Sequence, residues 1–144
     1  MARRAFYFPT LIIAAMVLAG GSARAADPNG VWLSADGDVK MKVAPCGGGI
    51  CSSITWLKSP NDDTGKPKVD KNNPDAGKRG RPIMGSLIIV GMKPDSANSW
   101  SGQIYNAEDG KTYSGSFTVT GANSAEIRGC VAIFCKTKAW TRSN

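Results

Sequence analysis

The chain has 144 residues, of which 18 are Lys or Arg and 11 are Asp or Glu, so its formal charge is +7, and it contains no histidine. This length suits one domain. The missing histidine excludes Ser-His-Asp and Cys-His catalysis, histidine-ligated zinc or haem, and an imidazole switch near neutral pH. We expect no cofactor and no metal site.

Residues 1–25 read as a secretory signal. Two arginines stand near its start, a mainly apolar stretch follows, and Ala23-Arg24-Ala25 forms a small-x-small cleavage signal. A retained anchor helix is the alternative, but the apolar stretch is shorter than the roughly 20 residues of a membrane span. We expect cleavage after Ala25, which removes three arginines and lowers the charge from +7 to +4. Residues 26–144 would then be one periplasmic or secreted domain without a membrane span.

The first predicted strands follow a period of two. After residues 30–34, Met41 and Val43 alternate with lysines, which predicts a half-buried strand. Beyond three glycines, Ile54 and Trp56 alternate with small polar residues. An antiparallel hairpin that places Val43 opposite Ile54 and Met41 opposite Trp56 would bury one apolar face and set Cys46 opposite Cys51.

The four cysteines predict two disulfides. In an exported protein an even number of cysteines indicates disulfide bonds, and the C-x-x-C spacing of many metal sites is absent. The hairpin register favours a Cys46–Cys51 bridge. The same rule joins Cys130 to Cys135, although it places Ile127 opposite Lys138 and Ala125 opposite Trp140.

Residues 59–82 form the one long connection. Loops of this length inside a small domain are usually functional or disordered. This one interleaves aspartates with lysines and arginines, so one interpretation is a solvated loop whose charges pair with each other. The other is a lid or rim that brings carboxylates and guanidinium groups to a barrel mouth. A calcium site is a weaker third option, because no D-x-[DN]-x-[DN]-G run is present.

The C-terminal half continues the strand pattern. Residues 83–92 are almost continuously apolar, which predicts a strand that is central in the sheet or covered on both faces. An Asp109-Gly110 turn joins two alternating segments and sets Trp100 opposite Phe117, Gly102 opposite Gly115 and Ile104 opposite Tyr113. Trp56, Trp100 and Phe117 are expected in the core. With residues 134–142 as the last, there are eight strands and no convincing helix.

Eight strands with short connections predict an all-β fold, a small antiparallel meander barrel with one long loop. Closure removes exposed strand edges and creates a core. The end motifs Gly30-Val31-Trp32 and Trp140-Thr141-Arg142 resemble those of the calycin barrels, the lipocalins and their relatives. That resemblance implies that Arg142 covers Trp32 and closes the barrel.

Several ordered motifs across residues 26–144 resemble a family of bacterial exported proteins, domain-of-unknown-function family 2147. They include Asn73-Pro74-Asp75, Arg81-Pro82-Ile83-Met84-Gly85, Gly102-Gln103-Ile104-Tyr105-Asn106 and Asp109-Gly110-Lys111-Thr112-Tyr113. The resemblance implies a small exported β-rich domain and no particular activity. Where the family often reads Asp-Pro-Glu, this chain has Asn106-Ala107-Glu108, so it offers no acid at position 106.

Polar residues of the long loop and of the Asp109-Gly110 hairpin are the candidate ligand-binding residues: Asp70, Asn73, Asp75, Arg79, Arg81, Tyr105, Lys111 and Tyr113. Guanidinium groups suit carboxylate or phosphate ligands. For the hairpin members, turn chemistry is the simpler explanation.

Three function classes follow. The first is a binding module for a small amphiphilic or anionic envelope ligand, and the second is a filled barrel that contacts another envelope component. The third, a carboxylate-based hydrolase, would need two acids roughly 5–10 Å apart and is the least expected. Nucleic acid is not an expected partner, and the oligomeric state stays open.

Overall fold

A computed structural model describes residues 24–144. It contains eight strands: β1 Gly30–Ser34, β2 Val39–Cys46, β3 Gly49–Leu57, β4 Leu87–Ser96, β5 Ser99–Asn106, β6 Lys111–Gly121, β7 Ser124–Val131 and β8 Phe134–Ser143. Each strand pairs with the next in antiparallel fashion and β8 pairs with β1, so the predicted eight-stranded meander barrel is confirmed. A 3₁₀ turn, Ala76–Lys78, interrupts the long loop.

The proposed signal lies almost wholly outside the described residues, which begin at Arg24. Within 24–144, no helix has the length and apolarity needed to cross a membrane. The first backbone contact of the barrel is made at Ala26, whose N–H donates to the carbonyl of Ala97 at 3.0 Å.

The two ends of the barrel differ. In a meander, successive connections alternate between ends, so the β1–β2, β3–β4, β5–β6 and β7–β8 connections share one end. We call this the loop end, because it carries residues 58–86. The other end, here the terminal end, carries the three remaining turns and the start of β1 and end of β8.

Large side chains fill the barrel interior. Trp32, Met41, Ile89, Met92 and Phe117 have no exposed surface. The Trp32 ring meets Phe117 edge-on, with centroids 5.6 Å apart. Eight strands enclose a space that side chains can fill completely, and these residues form one contiguous core.

Arg142 closes the terminal end as the end motifs imply. Trp32 on β1 lies directly opposite Arg142 on β8, and the guanidinium carbon lies 4.2 Å from the centroid of the indole ring. The guanidinium also donates to the carbonyls of Asn29 at 2.5 Å, Asp27 at 2.9 Å and Ala122 at 3.0 Å. One side chain therefore ties both chain ends and the β6–β7 turn together.

Both predicted disulfides are present, and no free cysteine remains among the described residues. On the β7–β8 hairpin the register is confirmed: Cys130 lies opposite Cys135, Ile127 opposite Lys138 and Ala125 opposite Trp140. The β5–β6 register is likewise confirmed at each of the three predicted pairs.

The predicted β2–β3 register is wrong by two residues. Val43 lies opposite Ser52 and Met41 opposite Ile54. The cause is the turn: Gly47 and Gly48 both have positive φ, as a two-residue hairpin turn requires, and they place Cys46 opposite Gly49. The Cys46–Cys51 bridge therefore runs diagonally, with a Cα–Cα distance of 5.7 Å.

Trp56 is not in the core, contrary to expectation. A register irregularity between Lys40 and Met41 places Trp56 opposite Lys40, which shifts the indole to the outer face. There the Trp56 side chain is 41% exposed, and the Lys40 ammonium lies 5.9 Å from its ring centroid. Val43, Trp100 and Phe117 do lie in the core.

Residues 83–92 are not one strand covered on both faces. Strand β4 begins at Leu87, and Ser86 closes a turn in which its N–H donates to the carbonyl of Ile83. Two shifts in pairing between β3 and β4 break the alternation. As a result Ile89 and Met92 face the core, whereas Leu87 and Val90 are 45% and 55% exposed.

Candidate functional site

The long loop lies against the outer wall of the barrel near the loop end. Two backbone hydrogen bonds pair two segments of the loop. The N–H of Asp70 donates to the carbonyl of Arg81, and the N–H of Ile83 donates to the carbonyl of Lys68, each at 3.0 Å. The paired segment packs on Tyr105, which projects outward because its neighbour Ile104 is in the core. Of the interpretations offered by the sequence, this part of the loop therefore fits a wall or rim element and does not form a lid across the mouth.

Asp70 is the centre of the loop's packing. Its side chain is fully buried. One carboxylate oxygen accepts from the Tyr105 hydroxyl at 2.6 Å. The other accepts from Asn73 Nδ2 at 2.7 Å and from Arg81 Nε at 3.2 Å, with Arg81 Nη2 at 3.1 Å. Three side chains from two elements thus satisfy one buried charge.

The surroundings of Asp70 keep it ionised. Burial raises the pKa of a carboxyl group, but here hydrogen bonds from Tyr105, Asn73 and Arg81 and the charge of Arg81 outweigh it, so the pKa of Asp70 falls below 3.8. Burial and the bond to Asp70 raise the pKa of Tyr105 to about 12. At neutral pH the Tyr105 hydroxyl therefore stays protonated and donates a hydrogen bond to the Asp70 carboxylate.

The loop around Asp70 is built from short-range turns. Asn73 Oδ1 accepts from the N–H of Asp75 at 2.9 Å, and Asp75 caps the 3₁₀ turn by accepting from the N–H of Gly77 at 3.0 Å. Arg79 Nε donates to the carbonyl of Asn73 at 2.8 Å. The bonds from Gly77 and Lys78 lower the pKa of Asp75. Asn73, Asp75 and Arg79 therefore shape the loop that holds Asp70.

An open groove lies beside this cluster. Its volume is about 320 Å³, and it is lined by Asn73, Pro74, Asp75, Lys78, Arg81, Leu87, Val90, Tyr105 and Thr112. We call it the wall groove. Its apolar part comes from the exposed side chains of Leu87 and Val90. Its charged part comes from Arg81 and from the ion pair of Lys78 with Asp75, whose ammonium nitrogen and carboxylate oxygen lie 3.4 Å apart.

The structure brings together five of the eight candidate ligand-binding residues and separates three. Asn73, Asp75, Arg81 and Tyr105 line the wall groove, and Asp70 lies behind it. Arg79 supports the loop. Lys111 and Tyr113 belong to the β5–β6 turn, where the N–H of Lys111 and the hydroxyl of Tyr113 both donate to the Asp109 carboxylate.

That turn contacts the long loop, since Asn72 Nδ2 donates to the Glu108 carbonyl at 2.6 Å, but its own polar side chains pair within the turn. Burial raises the pKa of the Asp109 carboxyl, but its hydrogen bonds with Tyr113 and Lys111 outweigh burial and lower it. The bond to Asp109 in turn raises the pKa of Tyr113. The predicted Asp109-Gly110 turn is confirmed, and these contacts account for its polar residues.

Sequence reasoning missed the apolar half of the wall groove. Leu87 and Val90 were assigned to a strand covered on both faces. Gly91, which has a φ of 68°, and Pro94 were the local signs that this strand is irregular. Thr112 is opposite Tyr105 on the neighbouring strand, so the alternation of β6 could have placed it on the outer wall.

A second, smaller cleft of about 240 Å³ lies at the terminal end, between Ala26, Asp27, Val119, Gly121, Ala122 and Arg142. There the Arg142 guanidinium already donates to three backbone carbonyls and covers Trp32. Among residues 24–144 there is no group of three or more Cys, Asp or Glu side chains placed to hold a metal ion.

Gly110 controls how the loop docks, and its replacement is the first testable change. A Cβ at this position would lie 1.8 Å from the carbonyl oxygen of Asn72, and φ is 70°. We expect Gly110→Ala to lower the free energy of unfolding by about 2–4 kcal/mol, because it strains the backbone and expels the loop. Urea denaturation measures the loss.

Gly37→Ala is the matched control. Gly37 has the same φ of 70°, with no atom within 4 Å of an added Cβ. Gly37→Ala should lower the free energy of unfolding by about 1–2 kcal/mol, because it adds only backbone strain. Equal losses for the two variants would contradict close docking of the loop at Asn72.

Comparison with solved structures identifies a similar fold. Protein HP1028 from the human pathogen Helicobacter pylori, which belongs to the lipocalin family, aligns with a TM-score of 0.71 at 20% sequence identity, over 82% of this chain and 84% of that chain. At this identity the likeness concerns the fold, and it agrees with the calycin-type barrel expected from the end motifs. A search of curated proteins gives no match.

A family model matches residues 30–142, from the first residue of β1 to the arginine that closes the barrel. Its description is "Uncharacterized protein conserved in bacteria (DUF2147)". The matched range includes the long loop, the Asp70 cluster, the wall groove and both disulfides. The chain therefore belongs to the bacterial domain-of-unknown-function family 2147.

Proposed function

We propose that this protein is an exported binding module that takes a small anionic amphiphile in the wall groove, on the outside of its barrel. Export is supported by the signal-like residues 1–25, by two disulfides and by a bacterial family. Disulfides persist in the periplasm and outside the cell.

The observation that carries the proposal is the contrast between a packed interior and an open amphiphilic groove. Lipocalin-type barrels have room for one small ligand inside, but Trp32, Met41 and Phe117 occupy that space here. The wall groove has the volume of a small-ligand site, which is roughly 300–1,000 Å³. A ligand would therefore bind outside the barrel.

The chemistry of the groove favours a ligand with an acidic head and an apolar tail. Arg81 uses Nε and Nη2 to hold Asp70, and within residues 24–144 Nη1 has no protein acceptor. The Arg81 side chain is 42% exposed, so this free edge can bind a carboxylate or phosphate. Leu87 and Val90 would cover the apolar part of the same molecule.

We expect no catalysis at this site. A general acid needs a proton to give, and Asp70 is ionised with its pKa held low. A general base needs a free lone pair near the substrate, whereas the Asp70 oxygens accept from Tyr105, Asn73 and Arg81. The acid, base and nucleophile roles of a hydrolase would all fall to other residues.

A packed interior also favours a second candidate function, an envelope interaction module. Such a module needs a rigid scaffold and exposed contacts but no internal cavity. The two candidates differ in what occupies the wall groove, so the same experiment separates them.

Titration with defined amphiphiles tests the proposal. Decanoate, decyl phosphate and uncharged decyl maltoside, each below its micelle concentration, are added to isotopically labelled protein while backbone amide shifts are followed. We expect both anions to shift residues 73–81, 87–90 and 105, and decyl maltoside to bind about tenfold more weakly because it lacks the charge-assisted bond to Arg81.

Substitutions at two exposed groove residues test binding without disturbing the fold. Lys78→Gln and Val90→Ser should each weaken decanoate binding about three- to tenfold without unfolding the protein, because both side chains are more than half exposed. Lys66→Gln in the same loop is the matched control. Shifts confined to core residues would place the ligand inside the barrel, and the absence of any shift would reject small-amphiphile binding and favour the interaction module.

A further inference from the structure

The β7–β8 turn exposes an apolar cluster that the wall groove does not use. Val131, Ile133 and Phe134 are 49%, 87% and 76% exposed. Only Ala132 and Ile133 separate the two strands. We call residues 131–134 the apolar tip. Side chains of this kind are normally buried, and an exposed group of them indicates a contact surface.

The apolar tip is held rigidly at the end of a projecting hairpin. Cys130 and Cys135 close it with a disulfide directly behind the tip. Residues 131–139 are all exposed, and β1 pairs with β8 only from Trp140 onward. Ala132 has φ of 52°, a left-handed conformation that is unfavourable for alanine. The disulfide therefore closes the hairpin directly behind an exposed tip.

The charges beside the apolar tip are basic. Arg128, Lys136 and Lys138 lie on the same hairpin, and no acidic residue occurs between Arg128 and Lys138. Lys138 is paired with Asp36 of the β1–β2 turn at 2.5 Å. Arg128 and Lys136 have no ion-pair partner within residues 24–144. The tip thus combines apolar side chains with two available positive charges.

We propose that the apolar tip docks this protein on an anionic lipid surface. The convex tip presents three apolar side chains, far less than the roughly 800 Å² that each partner buries in a stable protein–protein contact. Insertion among lipid headgroups needs only a few apolar side chains, with cations placed to meet lipid phosphates. Ile133 and Phe134 would enter the interface while Arg128 and Lys136 contact the headgroups.

Vesicle cosedimentation tests this inference. Protein is isolated in the form that the producing cell exports, with its N terminus checked by mass spectrometry, and mixed with vesicles of phosphatidylethanolamine and phosphatidylglycerol or of phosphatidylcholine alone. We expect binding to the anionic vesicles that weakens with salt. Phe134→Ser should reduce the partition coefficient about tenfold, and Arg128→Gln with Lys136→Gln about tenfold at low salt.

Met84→Ser is the matched apolar control, because Met84 is 41% exposed in the β3–β4 connection, outside the β7–β8 hairpin. It should bind vesicles as the native protein does. Brominated lipids should quench the tryptophan fluorescence of an Ile133→Trp variant more than that of the native protein.

Equal vesicle binding by the native and Phe134→Ser proteins would overturn the proposal. So would the absence of binding to the anionic vesicles. If sedimentation then showed a dimer that Phe134→Ser dissociates, a second copy would cover the tip. Neither result bears on the wall groove, which lies on other strands.

Discussion

Replacing Arg142 with alanine is expected to lower the free energy of unfolding by about 3–5 kcal/mol. The guanidinium contributes charge-assisted hydrogen bonds to three carbonyls and a cation–π contact with Trp32. A hydrogen bond to a charged group contributes about 1.5–3 kcal/mol and a cation–π contact about 0.5–2 kcal/mol. The contributions do not add fully, because the side chain is only partly buried. Urea denaturation followed by tryptophan fluorescence measures the loss.

The reason for so large an effect is where these contacts lie. Arg142 connects the segment before β1, the last strand and the β6–β7 turn at the seam where the barrel closes. Without it, the Trp32 indole would lose its cover and the carbonyls of Asp27 and Asn29 would lose their donor. The loss therefore weakens the closure of the whole sheet.

Two variants isolate the guanidinium geometry. Arg142→Lys keeps a cation near Trp32 but cannot reach three carbonyls, so it should recover less than half of the loss. Arg128→Ala removes an exposed arginine from the neighbouring strand and should change the free energy of unfolding by no more than about 0.5 kcal/mol. A lysine that restored full stability would mean that charge alone closes the barrel.

The barrel itself was predictable because its strands obey a period of two and its turns are short. Trp100, Ile104 and Phe117 face inward as their alternation requires, and the register predicted from the Asp109-Gly110 turn holds along β5 and β6. Closure was predicted because it removes exposed strand edges, and the resemblance to calycin barrels added the contact of Arg142 with Trp32.

The β2–β3 register could not be predicted from the period of two. A slip of two residues keeps every side chain on the same face, so hydrophobic alternation cannot distinguish the two pairings. The turn decides instead: Gly47 and Gly48 form a two-residue connection, and the strands pair from there. The irregularity beside Lys40 then moved Trp56 to the outer face, and no sequence pattern marks that position.

The sequence singled out the residues of the Asp70 cluster but not the contacts among them. Asp70 and Arg81 are in the long loop and Tyr105 is on β5, so the contact between Asp70 and Tyr105 spans 35 positions. A loop has no periodicity that indicates which wall of the barrel it covers. The apolar side of the groove stayed hidden because Leu87 and Val90 are in an irregular strand.

Asp70→Ala is expected to have the second large effect, lowering the free energy of unfolding by about 3–4 kcal/mol. Breaking a buried ion pair usually costs about 3–5 kcal/mol, because the remaining partner is left without its counter-charge. Here Arg81 is 42% exposed and can regain water, which places the cost toward the lower end. Asp70→Asn, which keeps one acceptor for Tyr105, should cost about 2 kcal/mol.

The pH dependence of the same variants identifies the charge as the cause. The pKa of Asp70 in the folded protein is below 3.8, its ordinary value, so its ionised form stabilises the fold above that pH. That stabilisation is lost as the pH falls through the folded pKa. Native protein and Asp70→Asn should therefore differ by a constant amount above about pH 5 and converge below pH 4.

The comparison isolates Asp70 from the other carboxyl groups with lowered pKa. Asp62, Asp75 and Asp109 have lowered values in both proteins, so their contributions cancel in the difference between the two stability curves. Tyr105→Phe is the matched test of the hydrogen bond, because it removes the hydroxyl that donates to Asp70 and keeps the ring. It should shift the low-pH loss of stability upward, toward 3.8. A difference between native protein and Asp70→Asn that persisted unchanged to pH 2 would mean that the carboxyl acts through its shape and not through its charge.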